Sequence, residues 1–529
     1  MEITILTADL TEQTVKKEVL ETDKKALELA LSLHDSSSMV FVPLERISPV
    51  SGYVAVFTSL YDGKVTYLRG CSRVFSSLSE DGISALVIKG NARKLSYITL
   101  KKDSLAVMTC EQLRSHSHLH AFEILSSGDD DIMLAIGEAG EKGVYPAAVF
   151  SSDNMEVLGC TLGAIFGMRN LKAIVAGAAE TEVTDSPAVL KKLASSKAVK
   201  GMRRGGSSSL MYNAYQNGWI VSGGFSPLKD PRALHLSGSE LNRAAASGES
   251  ACTDCAISCR RKTGRGYPCP GCLECMALGS ALGFYSPDRI VRLTEACLLY
   301  GLSPSETGFL LSALRQCSDL PFTYPQLKDA DEGEVVRVIS LLGQKKGIGE
   351  SVARGFDRQL TLEGRPVTVD MRGALGEAIF AIYGEGDSCW ADLILGLSKK
   401  YSAASMGYAA AYLRVYAHAF QALGLGHVYP VALFYEKLFR HTPDSPFFLK
   451  RAFMKIRWNG MKAGELLRLG LESVKAYDEA RGGRADIPSL FTDNIREDGS
   501  ELSKVRLLSG YDRAIAEIEA LDAASAHGE

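Results

Sequence analysis

Hydrophobic positions recur at every second residue over much of the chain up to about residue 205, and at every third or fourth residue beyond it. The first ten residues, MEITILTADL, alternate and then turn. Tyr53–Leu68 reads as a strand, an Asp62-Gly63 turn and a second strand, and Ala85–Leu100 reads the same way about Gly90-Asn91. Between Asp131 and Phe150 a short apolar run leads through Gly137, Gly140 and Gly143 to VYPAAVF. Those glycines have the wrong spacing for a dinucleotide fingerprint, and a strand follows where a helix would be needed.

Beyond the Gly205–Ser209 loop the periods are helical. Ser286–Leu302 has a Ser cap, Pro at the first turn, periodic apolar positions and a closing Gly. Ser303–Cys317 and Glu332–Phe356 follow the same plan, and a third helical block runs from Lys399 to a last helix over Ser503–Ser525, broken by a loop at Ala480–Ser500. No short internal repeat shows in the sequence. The pattern predicts an α+β protein: a β-rich N-terminal domain over 1–205, a helical domain over 206–400 and a helical C-terminal domain over 401–529.

Composition narrows the function. The 529 residues carry 59 Lys+Arg against 62 Asp+Glu, a net charge of -3, which argues against a nucleic-acid surface. No apolar run is long enough to span a membrane, and the N-terminal residues lack a signal peptide's basic start and apolar stretch, so a cytoplasmic protein is expected. Of the 12 Cys, six fall between Cys252 and Cys275. Cys252, Cys255 and Cys259 form C-x2-C-x3-C, and Cys269, Cys272 and Cys275 form C-x2-C-x2-C. In a reducing compartment such clustering points to metal chemistry: an iron–sulfur cluster, which usually takes a fourth thiolate from farther away, or a tetrahedral zinc site. Arg260, Arg261, Lys262 and Arg265 surround the thiols, either as a solvated basic loop or to offset thiolate charge.

These segments resemble the aldehyde ferredoxin oxidoreductase family. Leu162–Gly177, LGAIFGMRNLKAIVAG, is similar to that family's L-G-A-V-M-G-S-K-N-L-K-A-I, and Ala135–Asp153 to the segment leading into it. Gly82–Ile98 resembles G-Y-D-A-I-V-I-E-G-K-A-E-K-P-V-Y, and Cys252–Cys259 resembles C-x-x-C-P-I-G-C with Ala256 in place of Pro. Leu278–Gly283 and Gly347–Phe356 fit the helical second domain. The resemblance implies a β-rich base carrying a tungsten (or molybdenum) bis-pterin, two helical domains closing over it, and a nearby 4Fe–4S cluster. It implies oxidation of an aldehyde plus water to a carboxylic acid, with electrons passing through the cluster to ferredoxin or another electron-transfer protein. It places Cys252, Cys255 and Cys259 as candidate metal ligands, to which the clustering adds Cys269, Cys272 and Cys275, and it places Cys160 and Gly163 against the pterin.

The departures from that pattern bear on the pterin. Tyr53 and Gly159 stand where the family has Arg, Cys160 where it has Gly, Ser303 and Gln421 where it has Asp, and Gly426 where it has the fourth cluster Cys. The acidic pair before A-L-G-S is replaced by Pro270–Ser280, so Cys269, Cys272 or Cys275 would supply the missing thiolate locally. Buried phosphate charge needs a partner. Backbone amides around Cys160–Gly163 could hold one phosphate, with Arg69 and Arg73 as substitute charge. A smaller or less basic cleft than the family's is therefore expected, unless Arg69, Arg73 and Arg203 converge on a wide pocket. Three functions follow: an oxidoreductase with a working pterin; a pterin-free electron-transfer or structural subunit, as a homodimer or within a redox complex; or a zinc-stabilised scaffold.

Four further features carry chemistry of their own. His116, His118 and His120 would share one face of a strand and could bind a metal. His427 follows the altered late motif. Cys389 reads as core packing. Phe448–Lys462 is basic and amphipathic, a solvated helix face or a docking surface for an acidic electron-transfer partner.

Overall fold

A computed structural model describes residues 2–44, 52–101, 104–128, 131–159, 161–177, 195, 197–217, 220–223, 230–250, 259–316, 330–355, 361–362, 365–366, 402–423, 444–458, 460–483 and 503–526. The α+β plan is as expected: strands dominate the first third and helices the rest.

Strands β1 (Glu2–Asp9), β2 (Thr14–Glu21), β3 (Met39–Pro43), β4 (Gly52–Thr58), β5 (Val65–Cys71) and β6 (Ile83–Lys89) make a six-stranded sheet ordered β2-β1-β6-β3-β4-β5. Strands β7 (Ser96–Lys101), β8 (Ser104–Thr109), β9 (Ile132–Ile136), β10 (Val149–Ser151), β11 (Val157–Leu158) and β12 (Leu171–Ala176) make a second, ordered β11-β10-β9-β12-β7-β8. Each sheet has one parallel pair, β1 with β6 and β7 with β12, among antiparallel neighbours. Helices α1 (Ala26–Leu33) and α2 (Arg73–Glu80) belong to the first unit. Helices α3 (His118–Leu125), α4 (Glu138–Glu141) and α5 (Leu162–Met168) belong to the second.

Read in chain order, the two halves are the same motif: two strands, a helix, three strands, a helix, and a final strand parallel to the first. The short α4 and a 3-10 turn at Glu111–Leu113 are the additions in the second half. The sequence shows no repeat, so the duplication is carried by topology alone. Alternation explains how the sheets face. Leu6, Phe41, Tyr53, Phe57, Leu86 and Ile88 of the first meet Ile98, Leu134, Val149 and Ile174 of the second, with Phe75 of α2 and Phe166 of α5 in the same core. The Asp62-Gly63 hairpin is as predicted, with Gly63 at φ 66°. Ala85–Leu100 is not a hairpin. Gly90 turns at φ 71°, but β6 and β7 lie in different sheets, so this turn joins the two halves.

The helical part comprises α6 (Lys197–Gly205), α7 (Leu210–Asn217), α8 (Gly238–Ala245), α9 (Cys272–Glu274, continuing as a π-helical turn over Cys275–Ser280), α10 (Pro287–Tyr300), α11 (Pro304–Gln316), α12 (Glu332–Gly343), α13 (Ile348–Ser351), α14 (Ala403–Ala422), α15 (Pro446–Phe453), α16 (Ala463–Arg481) and α17 (Lys504–Ala526). Helix α10 begins at Ser286-Pro287 and closes on Gly301 in the left-handed region, as its sequence predicts. The basic run Phe448–Lys462 is helical only to Phe453; beyond it Trp458 is buried and bridges to Met461. It is therefore not one amphipathic face. Among the described residues no helix is long and apolar enough to cross a membrane.

Helix α14 is the centre of the C-terminal part. Every residue from Ser405 to Gln421 is buried. Two of its polar groups tie it to neighbours: Arg414 holds Asp478 at 2.6 Å, and His418 bridges Tyr67 Oη at 3.2 Å and Ser473 Oγ at 3.0 Å. Arg481 of α16 reaches Asp62 at 2.6 Å and the Val65 carbonyl at 2.9 Å, which ties the C-terminal helices to the β4–β5 hairpin.

Candidate functional site

The cysteine segment meets the β-rich part through one buried polar knot. The hairpin between β10 and β11 carries Asn154 and Glu156, both buried. The Glu156 carboxylate accepts the Cys71 N–H at 2.6 Å and faces Arg260 at 3.1 Å, and Arg260 also donates to Asn154 Oδ1 at 3.2 Å. Burial pushes the Glu156 carboxyl up, and Arg260 pulls it back. Arg260 directly follows Cys259, so this ion pair fixes the thiol's backbone against the end of β5.

A small hairpin of β13 (Ala246–Ser250) and β14 (Arg260–Thr263) brackets the first three thiols. Cys252 and Cys255 lie in its connection, outside the described residues. The Cys259 carbonyl accepts the Ser207 N–H at 2.7 Å, next to Gly206 at φ 70°. Cys269 donates its N–H to the Arg261 carbonyl at 2.8 Å, so it sits beside β14 near Cys259. Its thiol is pushed up to about 11 by burial, with the buried Arg261 acting the other way. Cys275 is fully buried. Its thiol is pushed well up by burial, with Glu274 and Cys269 adding to the shift, so Cys269 and Cys275 act on each other. Cys272 turns elsewhere: its Sγ lies 3.7 Å from Met211 Sδ in the helical core. Among the described residues no three His, Cys, Asp or Glu side chains are grouped to hold a metal, so Cys259 and the second trio form no cage by themselves. The basic residues divide. Arg260 is held by Glu156 and Arg265 by Glu295 at 3.0 Å, while Arg261 is buried beside the Cys269 thiol.

Arg69 is buried on β5, on the face that carries Tyr67 rather than the inter-sheet core. Arg73 opens α2; its N–H donates to Asp153 at 3.0 Å, and the Ser72 hydroxyl donates to the same carboxylate at 3.2 Å. Gly163 packs where a Cβ would overlap the Ala147–Ala148 backbone. Tyr53 points into the inter-sheet core, its ring 4.3 Å from that of Phe75 and its hydroxyl without a partner among the described residues. A Cβ at Gly159 would overlap the Glu306 carboxylate of α11. Ser303 is buried, and its N–H donates to the Pro146 carbonyl at 2.7 Å. Gln421 is buried at the end of α14. Arg203 closes α6. A cleft of about 410 Å³ opens between α6, α7 and α8, lined by Arg204, Ser209, Tyr212, Ser237 and Asn242 and by none of the expected cofactor residues. Cys160, Cys389, Gly426 and His427 lie outside the described residues.

The two β–α connections at the equivalent ends of the duplicated halves are therefore each faced by a carboxylate of this chain, Asp153 at Ser72-Arg73 and Glu306 at Gly159. Sequence reasoning missed both. Only the close pairing of a glycine in one segment with an acid in another marks the second, and that contact is not local. Two phosphates would need cations at these places; the Arg73 guanidinium at the first lies 3.9 Å from Asp153 and is offset by it, and Gly159 at the second meets the Glu306 carboxylate, so the described residues do not fit a bis-pterin held in that way. The thiol-rich segment is of the right donor chemistry for a cluster.

The three histidines are not on a strand: Ser117 caps α3 by accepting the His120 N–H at 3.2 Å, so His118 and His120 lie in the first turn of the helix and His116 in the turn before it. The helical turn separates them. His118 is buried and stacked on Phe150 with centroids 3.8 Å apart, while the His116 and His120 rings lie together, 4.5 Å apart.

Known proteins agree with this architecture. The chain is 25% identical over 351 residues to the tungsten-containing aldehyde ferredoxin oxidoreductase of Thermococcus kodakarensis, covering 61% of this chain and 58% of that protein. It is 25% identical over 385 residues to the protein of the same description from Pyrococcus furiosus, covering 64% and 62%. The alignments thus span under two thirds of those relatives. In fold it superimposes on the active site complex BamBC of benzoyl coenzyme A reductase with a TM-score of 0.67, at 14% identity, over 99% of this chain and 97% of that one. Residues 38–178 match the N-terminal domain of aldehyde ferredoxin oxidoreductase and residues 186–372 match its domains 2 and 3. With both parts matched in order, the chain belongs to the aldehyde ferredoxin oxidoreductase family.

Proposed function

We propose that this family member is an iron–sulfur redox protein that exchanges electrons with ferredoxin or a similar partner, as a subunit of a redox complex, and does not hold a pterin by the family's phosphate contacts. The carrying observation is the pair of carboxylates, Asp153 and Glu306, at the two equivalent β–α connections. Cys252, Cys255 and Cys259, with Cys269 or Cys275, would hold a 4Fe–4S cluster, which supplies one-electron storage when bound. The chain's own residues prepare that place. Arg261 sits buried beside Cys269 and offsets thiolate charge, and Arg260 with Glu156 anchors the segment to the β-rich part. The fold shared with a component of the BamBC active site complex supports the subunit reading. The domain limits 1–205, 206–400 and 401–529 are part of this proposal.

A second reading is favoured by the relatives described as tungsten-containing: a pterin held by replacement contacts, with aldehyde plus water giving a carboxylic acid, two protons and two electrons. Metal analysis of anaerobically purified protein separates the two. Iron without tungsten or molybdenum is expected. Stoichiometric tungsten or molybdenum with aldehyde-dependent reduction of a viologen dye would establish the second reading, and zinc alone would overturn both. Within the first, Cys255→Ser should bleach the iron–sulfur absorption; unchanged colour and iron would remove Cys255 as a ligand.

A further inference from the structure

We propose that His116 and His120 form a surface site for a divalent transition-metal ion that favours imidazole, such as zinc, nickel or copper, independent of the cysteine segment. The two rings face each other at 4.5 Å between centroids, on the outer side of the turn that opens α3. The two rings, one on either side of the Ser117 cap, are close enough for small side-chain rotations to bring one nitrogen of each to a common ion. Their neighbour His118 is stacked on Phe150 in the interior, so the pair is what the alternating motif leaves at the surface.

Three contacts pre-arrange the pair. The buried Lys172 ammonium donates to the His116 carbonyl at 2.7 Å, and Glu141, which pairs with Lys172, accepts the Ser115 N–H at 2.8 Å. Ser115 is in the left-handed region at φ 63°, a conformation that a non-glycine residue keeps only where its surroundings hold it. The turn carrying His116 is thus fixed from beneath by a buried ion pair, which lowers the ordering cost of binding. On the other ring, Glu123 Oε2 lies 3.5 Å from His120 Nδ1. A carboxylate there favours the proton on Nδ1 and leaves Nε2 as the donor, the usual second contact of a metal-bound histidine. Arg114, two residues before His116, is held by Glu111 at 2.7 Å. Among the described residues no third His, Cys, Asp or Glu completes a group, so the remaining positions on the ion are left to water.

The test is carbethoxylation of the full chain by diethyl pyrocarbonate, read residue by residue by mass spectrometry with and without zinc chloride. The cysteine segment does not enter this readout. Zinc should slow modification of His116 and His120 together and saturably, by about tenfold once both nitrogens are engaged, while exposed His235 reacts unchanged. In His120→Ala the protection of His116 should vanish. In Glu123→Gln it should need roughly tenfold more zinc. Both substitutions are at the surface, and an unchanged circular dichroism spectrum verifies the fold. Modification of His116 at the same rate in saturating zinc, or protection of His116 that survives His120→Ala, would overturn the site.

Discussion

Lys172 and Glu141 have side chains 0% and 4% exposed, an ion pair taken almost wholly out of water. Desolvation draws the Lys172 ammonium down, and Glu141 raises it again. Removing one partner leaves a buried charge with no counter-charge, which costs far more than losing a surface pair. Glu141→Gln should therefore destabilise the protein by about 3–5 kcal/mol in urea denaturation. The joint replacement Glu141→Leu with Lys172→Met should cost much less, since it removes both charges. Lys172 lies inside the Leu162–Gly177 signature, and that signature was legible. Its burial was not, because a lysine is almost never fully buried and nothing local marks the exception. Glu306 against Gly159 was hidden for a related reason: the two residues meet only after the helical part has closed on the sheets.

Backbone-to-backbone contacts at glycine set the helix packing around α14. A Cβ on Gly407 would overlap the Leu507 carbonyl of α17, one on Gly510 the Ala404 carbonyl, and one on Gly470 of α16 the Val415 carbonyl. Gly407→Ala should push α17 outward and cost about 1–3 kcal/mol or more, seen as a lower Tm with far-ultraviolet helicity retained. Gly464, also in α16, has nothing within 4 Å of its would-be Cβ. Gly464→Ala should be neutral or stabilise by up to about 1 kcal/mol. Helices α10, α11, α12 and α14 were readable from caps and apolar period because those signals are local. The Ala85–Leu100 segment misled for the converse reason: its turn is real, but strand pairing is decided by distant partners. In Arg114–Phe122 two local signals competed, and the Ser117 cap prevailed over the alternation.

At the scale of the whole molecule, the duplicated β unit offers two equivalent connections, and the helical part is locked onto it at separated points. Arg260 with Glu156 anchors the cysteine segment, and Arg481 with Asp62 anchors α16. Arg260→Met would strand the Glu156 carboxylate, which is 2% exposed. It should cost about 3–5 kcal/mol and speed both proteolysis within residues 246–270 and loss of iron; unchanged rates would show that the anchor does not hold that segment. The division into a strand-rich and a helix-rich part was visible in the sequence because period is a bulk property. The duplication was not, because topology survives where residue identity does not.

The enclosure of α14 also has a consequence during synthesis. This helix has no solvated face from Ser405 to Gln421, and α15, α16 and α17, which cover most of it, are encoded later, with α17 ending at Ala526. At about 5–20 residues per second, translation leaves the helix uncovered for roughly 5–20 s. During that interval the nascent chain displays an apolar, tyrosine-rich rod that a chaperone must shield or a neighbouring chain will bind. Shortening the gene before Lys504 would make that exposure permanent, so such truncations should collect as aggregates rather than as smaller folded proteins.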